Sequence, residues 1–195
     1  DITRSGCGHA MPSTFVTGYR YAEMGYTAGF EPALLPINAR QAHMEMADIP
    51  ILDKGGYVML GSDDYLLRML TAKKDQKAIN DYVAWTMQSA KAIGVKVVNP
   101  GGINAFKFNQ RKLDLDEQNA HYGLTPRDIL KVLATAVKEI GVSHPLHVHG
   151  CNLGVPGNMQ TTLDTIQGIG GLPMHLTHIQ FHSYGTEGDF KFSSG

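Results

Sequence analysis

Along this chain the spacing of apolar residues switches repeatedly between two periods. Short apolar runs that read as strands alternate with stretches carrying an apolar residue every three or four positions, which read as helices. The clearest helix is predicted over Asp75 to Ile93, where Ile79, Val83, Met87 and Ala90 form one stripe and Gly94 supplies a stop. Another is predicted from Thr125-Pro126-Arg127-Asp128, which combines a threonine cap, a proline in the first helical position and an early carboxylate. Ile129, Leu133, Ala136 and Ile140 carry its apolar face as far as Gly141. Weaker patterns predict helices over 12–24, 37–46, 65–70 and 157–169. Strands are expected at Tyr26–Phe30, Tyr57–Leu60, Val95–Asn99 and Leu146–Gly150, and in the run Met174–His182. Residues 103–124 lack a clean period and read as a long loop, a feature that is usually functional or mobile.

Strands alternating with helices imply a parallel α/β sheet with right-handed crossovers. A doubly wound sheet and a (β/α)8 barrel both fit the element order. No Gly-x-Gly-x-x-Gly fingerprint or phosphate-binding Gly-Lys-Ser/Thr loop is present. Polar residues gather instead at the predicted C-terminal ends of strands: Glu31, Ser62, Asn99, His149 and His178. In a barrel those ends meet at one mouth, where active sites sit. About five strands fall short of the eight a barrel needs, so the expected fold is a partial (β/α)8 TIM-type barrel. The opening Asp-Ile-Thr-Arg, without an initiator Met, and the stop soon after a strand–loop unit suit a fragment.

Composition narrows the function classes. With 43% hydrophobic residues, 18% charged residues and a formal net charge of −1, the chain offers no electrostatic reason to expect nucleic acid or an anionic membrane. No apolar run approaches the ~18–20 residues that would span a bilayer. Two cysteines, Cys7 and Cys151, make no disulfide framework, fit a reducing cytoplasmic setting and are too few for an iron–sulfur cluster. Cys151 reads as a small packed residue.

Two histidine-bearing runs, Leu146-His147-Val148-His149-Gly150 and Met174 to His182, carry the candidate chemistry. Strand alternation puts His147 and His149 on one face, and would put His178 on the side of Gln180 and His182. Neutral imidazoles at the ends of neighbouring strands suit a transition metal, although strand histidines also bond simply to loop carbonyls. His9, His43, His121 and His144 read as surface or helix residues. Lys96 interrupts an otherwise apolar strand, where an unpaired ammonium would be costly. It either reaches solvent along its own methylenes or points inward as a Schiff-base former or modified metal ligand. Asn152, Gln180, His182 and Tyr184 are polar residues near the predicted mouth that could position a substrate or serve the local backbone.

Lys96 in "VKVVN", His149 ending "LHVHG" and His178 in "HLTHIQFHS" resemble the fourth, fifth and sixth strands of the amidohydrolase superfamily. Longer runs, among them "SGCGHAMPSTFVTGYRYAEMGYT", "KVVNPGG", "HVHGCNLGVPGN" and "TTLDT", are similar to the A-subunit family of formylmethanofuran dehydrogenase and of the bacterial formyltransferase/hydrolase complex. The resemblance covers essentially the whole chain. It implies that residues 1–195 are the central part of one amidohydrolase barrel domain, lacking strand 1 and strands 7–8. It further implies a binuclear zinc site with Lys96 as a carboxylated bridge and His149 and His178 as ligands. Lys107, in "GINAFKF", is the alternative bridge, and His147 becomes a neighbour of the ligands. The general-base aspartate of the family would lie outside the chain.

The implied reaction interconverts the formyl amide of methanofuran or methylofuran with formate and amine, in methanogenesis or methylotrophy. Other subunits of the complex would be the partners. A single-metal amidohydrolase or deacetylase, and a non-catalytic scaffold subunit, are the competing readings.

Overall fold

The computed structural model describes residues 13–100, 112–190 and 193–195. One parallel sheet runs in chain order through β1 (Ala28–Leu34), β2 (Asp53–Met59), β3 (Gly94–Val98), β4 (Leu146–His149) and β5 (Met174–Leu176). An order that never reverses, with crossovers of one hand, sends every connecting helix to the same face. A doubly wound sheet instead reverses at a switch point. The winding is therefore that of a partial (β/α)8 barrel, which decides between the two architectures that the element order allowed.

The helices are α1 (Thr14–Glu23), α2 (Ala39–Ala47), α3 (Asp64–Thr71), α4 (Gln76–Ser89), α5 (Pro126–Ile140) and α6 (Met159–Gly168). Their starts follow local chemistry. The Asp63 and Asp75 carboxylates accept from the Leu66 and Ala78 N–H groups, each at 2.8 Å, satisfying donors that a helix start leaves open. Thr125 and Asp128 form the full reciprocal capping box, and Gly141 closes α5 at φ 78°. The apolar stripe of α5 packs with Ile79 and Val83 of α4 against Val58, Val95, Val97, Leu146 and Val148 of the sheet.

Three predicted elements change. Helix α4 ends at Ser89 rather than Ile93, because Lys91 turns left-handed at φ 50° and the Ile93 N–H donates to the Gly56 carbonyl. Gly94 is consequently the first residue of β3 and not a helix stop; a Cβ there would lie 2.7 Å from the Tyr57 ring. Strand β1 continues past Phe30 to Leu34, through Pro32, which falls where the pairing with β2 is irregular and no ladder bond is lost. Its register slips between Glu31 and Leu34, so Glu31 sits exposed within the strand instead of at its end. The histidine run after Pro173 is a strand only over Met174–Leu176. Part of the predicted long loop is firmly seated: Leu113 and Leu115 are buried, and Arg127 holds Asp116 in a two-point ion pair.

Candidate active site

Strand alternation divides β3 and β4 into a helix-packed face and an inner face. Val95, Val97, Leu146 and Val148 are fully buried on the first. On the second, pairing sets Met59, Lys96, His147 and His175 side by side in one row, with Val98 and His149 paired one step nearer the mouth. Lys96 is only 2% exposed, so its side chain does not reach solvent along its methylenes. Its Nζ lies 2.7 Å from His147 Nδ1 and 3.4 Å from Thr177 Oγ1.

Burial pulls the Lys96 ammonium down to about 8. It also pulls His147 down to about 4, helped by the neighbouring Lys96 charge. His147 is therefore neutral near pH 7, and its Nδ1 accepts a hydrogen bond from Lys96 while Nε2 carries the ring proton. The ring is held in a stack: Tyr57 lies 4.8 Å away on one side and His175 lies 4.7 Å away, nearly parallel at 12°, on the other. Glycine at 94 leaves the room that the Tyr57 ring occupies.

At the mouth, the His149 ring meets His178 at 5.2 Å and His182 at 5.5 Å, edge to face in both cases. The expectation that His178, Gln180 and His182 share one strand face does not hold. His178 adopts the left-handed region at φ 55°, Ile179–Phe181 form a 3₁₀ turn, and the chain folds back to bring His182 beneath the site. His178 and Gln180 are exposed, whereas His182 is 2% exposed. Neither ring nitrogen of His182 has a hydrogen-bond partner among the described residues; the Cys151 backbone lies alongside without bonding geometry. Asn99 Oδ1 and Ser62 Oγ, just past β3 and β2, are buried without partners too. Burial, followed by His182 and His178, pulls His149 down to about 4, so its lone pair is available at neutral pH.

Two asparagines fasten the loops that carry these histidines. Asn152 donates to Asp114 Oδ1 and Thr161 Oγ1 and accepts from the Leu113 N–H, so its carboxamide is engaged within the loop cluster and serves the fold. Asn158 donates to the backbone carbonyls of Asn152 and Phe181 at 2.8 and 2.7 Å and accepts from the Tyr184 N–H at 2.9 Å. It thereby ties the loop after β4 to the loop after β5. Sequence reasoning missed Asn158: a residue between Gly157 and a helix reads as a cap, but the side chain makes no cap bond. Tyr184 is half-buried and bridges to Ser194. Lys107 lies outside the described residues, as do Cys7 and His9. Cys151 is buried, which pushes its thiol up to about 12 and suits packing rather than nucleophilic work. His43 donates from Nε2 to the Ala90 carbonyl and His144 packs edge-on to Tyr57, both away from the mouth.

A model of the amidohydrolase family matches residues 1–191. The chain belongs to the amidohydrolase family. Among curated relatives, the A subunit of the formyltransferase/hydrolase complex Fhc of Methylorubrum extorquens is 46% identical over 177 residues, covering 91% of this chain and 32% of the relative. "Protein FwdA" of Methanocaldococcus jannaschii is 39% identical over 193 residues, covering 93% of this chain and 34% of the relative. A chain of the crystal structure of the Methylorubrum extorquens formyltransferase/hydrolase complex (FhcABCD), solved with methylofuran, superposes with a TM-score of 0.88 at 45% identity, over 91% of this chain and 32% of that one. This amidohydrolase chain thus spans about a third of the length of the relatives it matches.

Among the described residues no three His, Cys, Asp or Glu side chains are gathered as a ready metal-binding group. The donors fit part of one. Neutral imidazoles suit zinc, and the buried His182 ring has only the Cys151 backbone alongside its nitrogens among the described residues. No helix of the described residues is long and apolar enough to cross a membrane.

Proposed function

We propose that this chain is the central part of a formyl-carrier amidohydrolase subunit, with barrel strand 1 and strands 7–8 supplied by the rest of a longer protein. It would interconvert the formyl amide of methanofuran or methylofuran with formate and the free amine, working with the other subunits of a formylmethanofuran dehydrogenase or formyltransferase/hydrolase complex. Support comes from the identity with FwdA and the Fhc relative across nine-tenths of the chain. The observation that carries the reading is Lys96, buried on the inner face and paired in register with the strand that ends in His149.

Lys96 in carboxylated form, His149 and His178 would hold two zinc ions together with residues outside the chain. When bound, zinc polarises a carbonyl and lowers the pKa of water towards neutrality. The chain's own contribution is to keep His149 uncharged through burial, to hold Lys96 away from solvent, and to fasten the histidine loops through Asn158. Gln180, exposed on the 3₁₀ turn, and Tyr184 are candidates for contact with the carrier, and the buried His182 packs edge to face with His149.

The test uses the full-length subunit in its complex. Metal analysis should return two zinc ions per subunit, and His149→Ala should lower formyl-amide hydrolysis by on the order of 10²-fold while zinc is lost. One zinc per subunit would mark a mononuclear enzyme. Undiminished hydrolysis by His149→Ala would mark a scaffold.

A further inference from the structure

We propose that His147 is a positioning residue for Lys96, its Nδ1 accepting one Nζ–H and so fixing the direction in which a carboxyl group carried by that nitrogen projects. The inference rests on the reading of Lys96 as a carboxylated residue and assigns the neighbour that orients it.

Its basis is the inner-face row. Lys96 and His147 are register partners on adjacent parallel strands, with Nζ and Nδ1 2.7 Å apart. No carboxylate approaches that nitrogen among the described contacts; its other neighbour is Thr177 Oγ1 at 3.4 Å. The imidazole cannot easily swing away, because Tyr57 and His175 clamp its two faces at 4.8 and 4.7 Å. A ring so held is a fixed acceptor.

Carboxylation consumes carbon dioxide. The neutral amine forms an N–C bond, one N–H bond breaks, and its proton leaves to solvent, giving a carbamate with one remaining N–H. Like a peptide, the carbamate is flattened by N–C resonance, so its N–H and both oxygens lie in one plane. If the remaining N–H keeps the His147 Nδ1 acceptor, the orientation of that plane follows and the oxygens project away from His147. The same acceptor thus serves the amine before reaction and the carbamate after it. Thr177, the farther neighbour, also donates to the Val148 carbonyl and does not replace this acceptor.

Two substitutions separate acceptor from packing. His147→Phe keeps an aromatic ring between Tyr57 and His175 and removes Nδ1. His147→Asn discards the stack but returns an oxygen acceptor near the Nδ1 position. In the full-length subunit equilibrated with ¹³C-bicarbonate, the carbamate carbonyl is read by ¹³C NMR with zinc removed and with zinc restored. The expected result is a carbamate signal in wild type and in His147→Asn, its loss in His147→Phe, and zinc affinity of His147→Phe lower by about 10–100-fold. His147→Leu, also lacking an acceptor, takes the place of the Phe variant if that protein does not accumulate. A full signal in the acceptor-free variant overturns the proposal. Loss of signal in Asn and Phe alike overturns it in favour of packing. A wild-type subunit that binds zinc without any carbamate removes the underlying reading of Lys96 instead.

Discussion

Along β3 and β4, Val95, Val97, Leu146 and Val148 face the helices and are fully buried, while Lys96, His147 and His149, one residue away in each case, face inward. Both faces obey the same alternation. The helix-packed face is apolar without exception and contributes burial. The inner face carries groups that are expensive to desolvate, which burial has already pushed away from their charged forms. The chemistry of this chain is therefore set on the side of the sheet that contributes least to holding it together.

That contrast can be broken or sharpened in order of expected effect. Leu146→Ala on the packed face should destabilise by about 2–5 kcal/mol in denaturant unfolding of the full-length subunit, the range for a buried leucine truncated to alanine. A loss under 1 kcal/mol would show that the packed face is not the stabilising one. Asn158→Ala sits between the two classes, at the rim. It strands two carbonyls and an N–H, and a loss of roughly 3 kcal/mol is expected, accompanied by faster proteolysis in the loops after β4 and β5. Lys96→Met, on the inner face of the zinc-free subunit, should change stability by less than about 1 kcal/mol or raise it, since removing a buried ammonium that no carboxylate among the described residues neutralises offsets the acceptor it strands on His147. A large loss from Lys96→Met would mean that the inner row is structural after all.

The pH dependence is the most diagnostic effect. His147 and His149 are pulled from 6.5 to about 4, so between those values the unfolded chain holds more protons than the folded one. Stability should thus fall as pH drops through this window and be fully present above it. Lys96, pulled from 10.5 to about 8, acts with the same sign higher up, adding stability as pH rises through that second window. Lys96→Met should remove the alkaline slope and, by taking away the charge beside His147 and His149, also ease the acid one, measured by unfolding the zinc-free subunit at a series of pH values.

The sequence made the winding and the candidate row legible to different depths. α5 could be read almost residue by residue, because cap, proline, stripe and glycine stop all reinforce one another locally. Lys96 stood out because alternation makes any charge in a buried strand conspicuous. What it bonds to, 51 residues along, depends on register, which no local pattern encodes. His182 was placed on the wrong geometry for a similar reason. Period-two reasoning assumes that a strand continues, and the left-handed turn at His178 ends it. Asn158 stayed hidden because its partners lie in loops whose positions only the folded sheet determines.

Asn99, Asn152 and His178 follow the ends of β3, β4 and β5, and all three have positive φ, at 40°, 61° and 55°. Asparagine and histidine are among the few non-glycine residues that tolerate this region, and β-branched ones are true outliers there. Substitution tolerance around the mouth is therefore governed partly by backbone handedness. Glycine should pass at Asn99, whereas valine or isoleucine should fail there; at Asn152 glycine would keep the handedness but forfeit the bonds to Leu113, Asp114 and Thr161. A survey of natural or laboratory variants would register Asn99 as functional when its constraint is one of shape.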